Sequence, residues 1–164
     1  MSTEEFQTNG RNETAMGQEF SLALIMFHQS AAEKVGLNLT DYKVLGIIPP
    51  EGTPAGKIAA MTGLSTGMVT TVVDRLEQKG YVYRENDPKD RRKVIIKPNF
   101  QKVGASLGPI FQSFGQAMGK VMSGYTPDEI RVIQDYIAKS TEVFKQETQK
   151  LKQRKSTRDA DTQL

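Results

Sequence analysis

The stretch IAAMTGLSTGMVTTVVDRLEQKGYVYRENDPKDRRKVIIKP, Ile58 to Pro98, reads as two helical stretches followed by two strands, and that order decides the fold. Ile58 and Ala59, with Met61, give a short helix its buried side, and Gly63 permits a tight turn after it. Ser65 is placed to cap a second helix running to about Lys79. On that helix Met68, Val69, Val72, Val73 and Leu76 fall on one side, and Thr66, Thr70, Thr71, Asp74 and Gln78 on another. Gly80 closes it. Tyr81 to Tyr83 and Val94 to Ile96 then read as two strands joined by the charged segment ENDPKDRRK. Two short helices joined across a glycine turn are a helix-turn-helix, and the hairpin after them is a wing.

Working outward, Phe20, Leu24, Phe27, His28, Ala31, Ala32 and Val35 recur at helical spacing up to Gly36. A second helix, capped by Thr40, would bury Val44, Leu45 and Ile48 and stop at Pro49-Pro50 with Gly52. Thr53 before Pro54 reads as the cap of the third helix. Downstream, Asn99 can cap a long helix reaching about Ser123, and TPDE, Thr126 to Glu129, is a capping box opening the last one. The expected organisation is a loose, flexible arm or a frayed helix start at 1–11, a helix over 12–36, a winged helix-turn-helix over 37–98, two C-terminal helices over 99–152 and a disordered tail at 153–164. The fold class is mainly α with a small β-hairpin wing.

The 164 residues suit one domain with an assembly module, and the formal charge of +3 does not by itself demand a polyanionic partner. Cysteine is absent, which removes disulfides, thiolate metal sites and thiol redox sensing. With one histidine and scattered carboxylates no transition-metal spacing arises, so neither a metal nor a cofactor is expected. The longest apolar run, Leu22 to Phe27, is too short to span a bilayer, and the reading is a soluble cytoplasmic protein.

Charge is concentrated at the hairpin. Arg84, Lys89, Arg91, Arg92 and Lys93 can neutralise phosphates, and an arginine at a wing tip can enter a narrow minor groove. Asp87 and Asp90 run against that, since each repels phosphate; a carboxylate beside Arg91 and Arg92 can instead hold a guanidinium in place, so Asp90 reads as a wing-bracing residue. A charged hairpin tip alone also serves as a solvated loop that keeps a sheet edge soluble. The preceding helix-turn-helix favours double-stranded DNA as the partner.

At Ile58 to Pro98, the VVDRLEQKGYV end of the recognition helix and the DPKDRR wing resemble the MarR family of bacterial transcription regulators, and the flanking helices match its order over about 12–151. The resemblance implies a homodimer joined by the N- and C-terminal helices, each subunit offering one winged module to half of a pseudo-palindromic operator. It also implies repression relieved by a small, often aromatic or phenolic effector. Carried onto this chain, base or phosphate contacts fall to Ser65, Thr66, Gly67, Thr70 and Thr71, and the minor-groove contact to Arg91 or Arg92. Two departures stand out: Thr71 where many relatives carry arginine, and KPN where a leucine-threonine pair often leads out of the wing.

Gly104, Gly108, Gly115 and Gly119 fall on one helical face, although each glycine costs about 1 kcal/mol in a helix interior. They read either as a thin face that admits a ligand or partner, or as close packing in a dimer, or as a break at Gly108-Pro109. His28 reads either as a packed core histidine or as part of an effector pocket with Tyr42, Phe111 and Phe114. Two further classes of function stand beside DNA binding. A winged helix can serve as a protein-protein interaction module. An enzyme is disfavoured, since no nucleophile-base pair or phosphate-cradling loop emerges and GTPAGK has the wrong spacing for one.

Overall fold

The computed structural model describes the backbone of residues 3–88, 90 and 93–161, and the side chains of 15–88, 90 and 93–151. Its elements are α1 (Thr3–Lys34), α2 (Leu39–Ile47), β1 (Thr53–Pro54), α3 (Ala55–Thr62), α4 (Thr66–Gln78), β2 (Val82–Asn86), β3 (Val94–Pro98), α5 (Phe100–Met122) and α6 (Pro127–Asp161). The chain divides into two compact units, Met1–Gln112 and Ser113–Leu164.

Both ends are more helical than their composition led us to expect. α1 begins at Thr3 rather than near 12, and α6 continues through the segment expected to be a disordered tail as far as Asp161. Extending an existing helix adds one hydrogen bond per residue fixed, without a new nucleus. Gln153, Arg154, Lys155 and Arg158 of the tail are good helix formers even without an apolar periodicity in its sequence.

In the first unit the core gathers around α4. Val69, Val72, Val73 and Leu76 are buried against Val44 and Leu45 of α2, Ile58 of α3 and Ile96 of β3. Met68, expected on that buried side, is 53% exposed, because it lies about 90° around the helix from the centre of the apolar stripe. Met61 is likewise half exposed. Gly63 ends α3 with φ 75°, a left-handed conformation that places Ser65 to accept from the Met68 N–H at 3.3 Å. The cap of α2 is Asn38 rather than Thr40: its Oδ1 accepts from the Asp41 N–H at 2.8 Å.

Thr53 does not cap α3. It belongs to a strand that the sequence did not reveal, β1, which pairs antiparallel with β3 (Thr53 opposite Ile96) and makes the sheet three-stranded in the order β1-β3-β2. A two-residue strand has no alternation to detect. Thr53 is 2% exposed and its Oγ1 finds no hydrogen-bond partner among the described residues. Thr53→Val is therefore expected to raise the unfolding free energy by about 1 kcal/mol, since it removes a buried, unsatisfied hydroxyl with little change of shape. A urea titration that gives no gain would mean that the hydroxyl is satisfied in solution.

Asn99 caps α5 as expected, its Oδ1 accepting from the Lys102 N–H at 3.2 Å. α5 runs without interruption through Pro109, which removes the reading of a break at Gly108-Pro109. Beyond the helix's own backbone, a Cβ added at Gly104, Gly108, Gly115 or Gly119 would meet no atom within 4 Å among the described residues, so none of them requires glycine there. In the second unit, the Thr126 N–H donates to Glu129 Oε2 at 2.8 Å and the Glu129 N–H to Thr126 Oγ1 at 3.3 Å, which closes the expected capping box. The Thr126 N–H and the Thr126 hydroxyl, which also donates to Glu129 Oε2 at 2.8 Å, hold the Glu129 carboxyl below its ordinary pKa, the backbone N–H contributing most.

Candidate nucleic-acid interface

The exposed side of α4 carries the residues that a groove would meet. Ser65, Thr66, Gly67, Thr70 and Thr71 are all exposed, and the apolar face anchors the helix from behind. The Thr70 hydroxyl donates to Thr66 O at 3.0 Å and the Thr71 hydroxyl to Gly67 O at 3.1 Å. Their protons are thus used within the helix, and what faces outward is an acceptor oxygen and a methyl group. Ser65 caps through its oxygen and keeps its proton for another acceptor. The free N–H groups of the first turn add the positive end of the helix dipole.

Behind this face, Asp41 is completely buried and is gripped by Arg75. Arg75 Nε donates to Asp41 Oδ2 at 3.0 Å and Nη2 to Oδ1 at 2.5 Å, while Asn38 Nδ2 donates to Oδ2 at 3.1 Å. The hydrogen bond to Asp41 raises the guanidinium pKa further still. This fork fastens α4 to the start of α2, and sequence reasoning missed it: the partners lie 34 positions apart and nothing local pairs them. Tyr81 adds a second tie, its hydroxyl donating to Val35 O at 3.1 Å.

The wing leaves α4 through Arg84. Expected as a phosphate contact, Arg84 instead places its two terminal nitrogens on Asp74 and Glu77 of α4, with Nη2 at 2.5 Å from Asp74 Oδ1. Pairing part of α4's own acidity in this way, with both carboxylates still partly exposed, is favourable because a planar guanidinium can serve two carboxylates at once. The sequence shows Asp74 only as part of the polar face. At the tip, the Asp87 N–H donates to Lys93 O at 2.9 Å and the Lys93 N–H to Asp90 O at 2.8 Å, which closes the turn. The Asp90 carboxylate lies 3.7 Å from Lys93 Nζ. Lys89, Arg91 and Arg92, and with them the expected bracing of an arginine by Asp90, lie outside the described residues.

Three of the four residues expected at an effector pocket meet in the first unit, together with Phe27. His28 Nδ1 is 3.1 Å from the Tyr42 hydroxyl, and the Phe27 and Phe111 rings meet edge to face with centroids 6.2 Å apart. Burial pushes the Tyr42 phenol above its usual pKa. Phe114 lies further along α5, in the second unit. Among the described residues no group of three or more histidines, cysteines or carboxylates could hold a metal ion, and no helix is long and apolar enough to cross a membrane.

The model of the MarR family matches residues 37–94, from two residues before α2 to the first residue of β3. The uncharacterized HTH-type transcriptional regulator YcgE of Bacillus subtilis is 40% identical over 133 residues, covering 79% of this chain and 84% of that protein. Among solved structures, a MepR mutant of S. aureus bound to an oligodeoxyribonucleotide is similar with a TM-score of 0.56 at 16% identity, over 80% of this chain and 97% of that one. CouR from Rhodococcus jostii RHA1 bound to p-coumaroyl-CoA follows with a TM-score of 0.53 at 24% identity, over 73% and 85%. The helix-turn-helix, its wing and the match to YcgE along most of both chains agree: this chain belongs to the MarR family of HTH-type transcriptional regulators.

Proposed function

We propose that the protein is a homodimeric, DNA-binding repressor that acts in the cytoplasm, without enzymatic activity, and releases its operator when a small aromatic or phenolic molecule binds. The observation that carries this reading is the exposed, small-residue face of α4, held from behind by Asp41 and Arg75 and flanked by a hairpin whose tip is rich in lysine and arginine. Short side chains allow the helix to approach base edges closely, and the wing cations reach phosphate. A MepR mutant of this fold is bound to an oligodeoxyribonucleotide, and CouR to p-coumaroyl-CoA.

Assembly into a dimer is supported by apolar side chains left in solvent. Met16, Phe20 and Leu24 recur every fourth residue along α1, and Ile137, Phe144 and Leu151 every seventh along α6, all exposed. Such stripes are stable once a second copy covers them. Two recognition helices in that dimer read half-sites about 34 Å apart, and an effector that prefers another spacing weakens DNA binding by its differential affinity. The cluster of Phe27, His28, Tyr42 and Phe111 is the seat we assign to the effector, an aromatic surface with one polar pair.

A salt titration of binding to the DNA upstream of the protein's own gene, against random duplex, tests the reading. The Arg91→Ala, Arg92→Ala double variant is expected to bind at least about tenfold more weakly, with the log-log salt slope flattened by about 0.9 for each phosphate left without its cation. Weak, non-specific binding that ignores the wing would instead favour a winged helix that docks a protein.

A further inference from the structure

The recognition helix carries acid where a polyanion is to be met. Asp74 and Glu77 stand one turn apart on α4, their side chains 59% and 38% exposed, within reach of anything lying along the Thr70 and Thr71 face. Charges so placed repel phosphate over roughly a Debye length, about 8 Å at physiological salt. Each is held by the same guanidinium. Arg84 Nη2 takes Asp74 Oδ1, Nη1 takes Glu77 Oε2, and the Arg84 backbone N–H donates to Glu77 Oε1 at 3.2 Å. Glu77 therefore receives both the main chain and the side chain of one wing residue, which fixes β2 against α4 in direction as well as distance.

We infer that Arg84 is a positioning residue for DNA binding and not a phosphate ligand: it sets the angle between wing and recognition helix and offsets the acidity of Asp74 and Glu77 at the groove. The inference rests on the DNA-binding reading above. Its geometry has two consequences that a phosphate ligand lacks. The worth of Arg84 depends on the presence of Asp74 and Glu77. A lysine, with one point charge in place of a planar fork, replaces the charge but not the two-armed hold.

The test is a cycle of binding measurements on the duplex that the wild-type protein itself enriches from a random-sequence pool, using wild type, Arg84→Ala, Arg84→Lys, Asp74→Asn with Glu77→Gln, and the triple variant that adds Arg84→Ala. Arg84→Ala is expected to weaken binding about tenfold in the wild-type background and by less than about twofold once both acids are neutral, non-additivity being the signature of residues that act together. Arg84→Lys is expected to recover only part of the loss, and thermal midpoints of the same proteins separate weakened binding from unfolding. Equal losses in both backgrounds, with a salt slope reduced by about 0.9, would make Arg84 a phosphate ligand and overturn the inference. Full recovery by lysine would overturn the positioning role, as would an Arg84→Ala variant that binds like wild type. If the wild type enriches no duplex at all, the DNA-binding reading falls and this inference with it, a result distinct from every other outcome.

Discussion

Replacing Arg75 with alanine is expected to lower the free energy of unfolding by about 3 kcal/mol, more than truncating any exposed residue of α4. The reason is the partner it abandons. Asp41 is 0% exposed, and without the guanidinium its carboxylate retains the Asn38 amide and, among the described residues, no countercharge. Arg75 itself is 38% exposed, so water can solvate it when Asp41 is removed; the two single variants are therefore unequal, and the arginine deletion is the worse. Adding Asp41→Asn to Arg75→Ala is expected to restore most of the loss, because a neutral amide is far cheaper to bury than a charge. Urea denaturation of the wild type, both single variants and the double variant checks this. A loss under about 0.5 kcal/mol for Arg75→Ala would show that the pair contributes nothing beyond an exposed ion pair.

Gly52→Ala is expected to be nearly as damaging, by about 3 kcal/mol, through an unrelated mechanism. Gly52 has φ +86°, a conformation that alanine adopts only at a cost of about 1–2 kcal/mol. The added Cβ would also lie 2.6 Å from Ile95 Cγ2 and from Lys97 Cγ, and 2.9 Å from the Ile96 carbonyl. The two side chains can rotate away; the carbonyl belongs to the central strand of the sheet and cannot move without disturbing β1 or β2. Thermal unfolding followed by circular dichroism should show the loss, and an alanine variant as stable as wild type would mean that the turn before β1 relaxes freely.

These two sites also mark where the sequence could be read and where it could not. The helix-turn-helix was legible because its signals are local: Gly63 and Ser65 delimit the turn, and the spacing of Val69, Val72, Val73 and Leu76 gives the buried face. The capping box at Thr126 and the cap at Asn99 were legible for the same reason. β1 was not, since its structure comes entirely from pairing with the distant strand that carries Ile95 and Ile96. Nor were the partners of Asp41 and Arg84. A carboxylate in a sequence shows its charge, but which cation the fold brings to it depends on packing. Charge alone assigns Arg84 to phosphate; that its strand returns beside α4, within reach of Asp74 and Glu77, is set by packing that the sequence does not show.

The anchoring of α4 has a consequence for how such a protein can change over generations. Positions that hold the helix, Val69, Val72, Val73, Leu76 and Arg75, are distinct from positions that face outward, Thr66, Gly67, Thr70 and Thr71. Substitutions at exposed positions of this kind usually change stability by no more than about 0.5 kcal/mol, whereas those in the buried set cost far more. A lineage can therefore rewrite the outward set while the inward one keeps the helix in place, and new sequence preferences can arise by drift at the surface without first passing through an unstable ancestor.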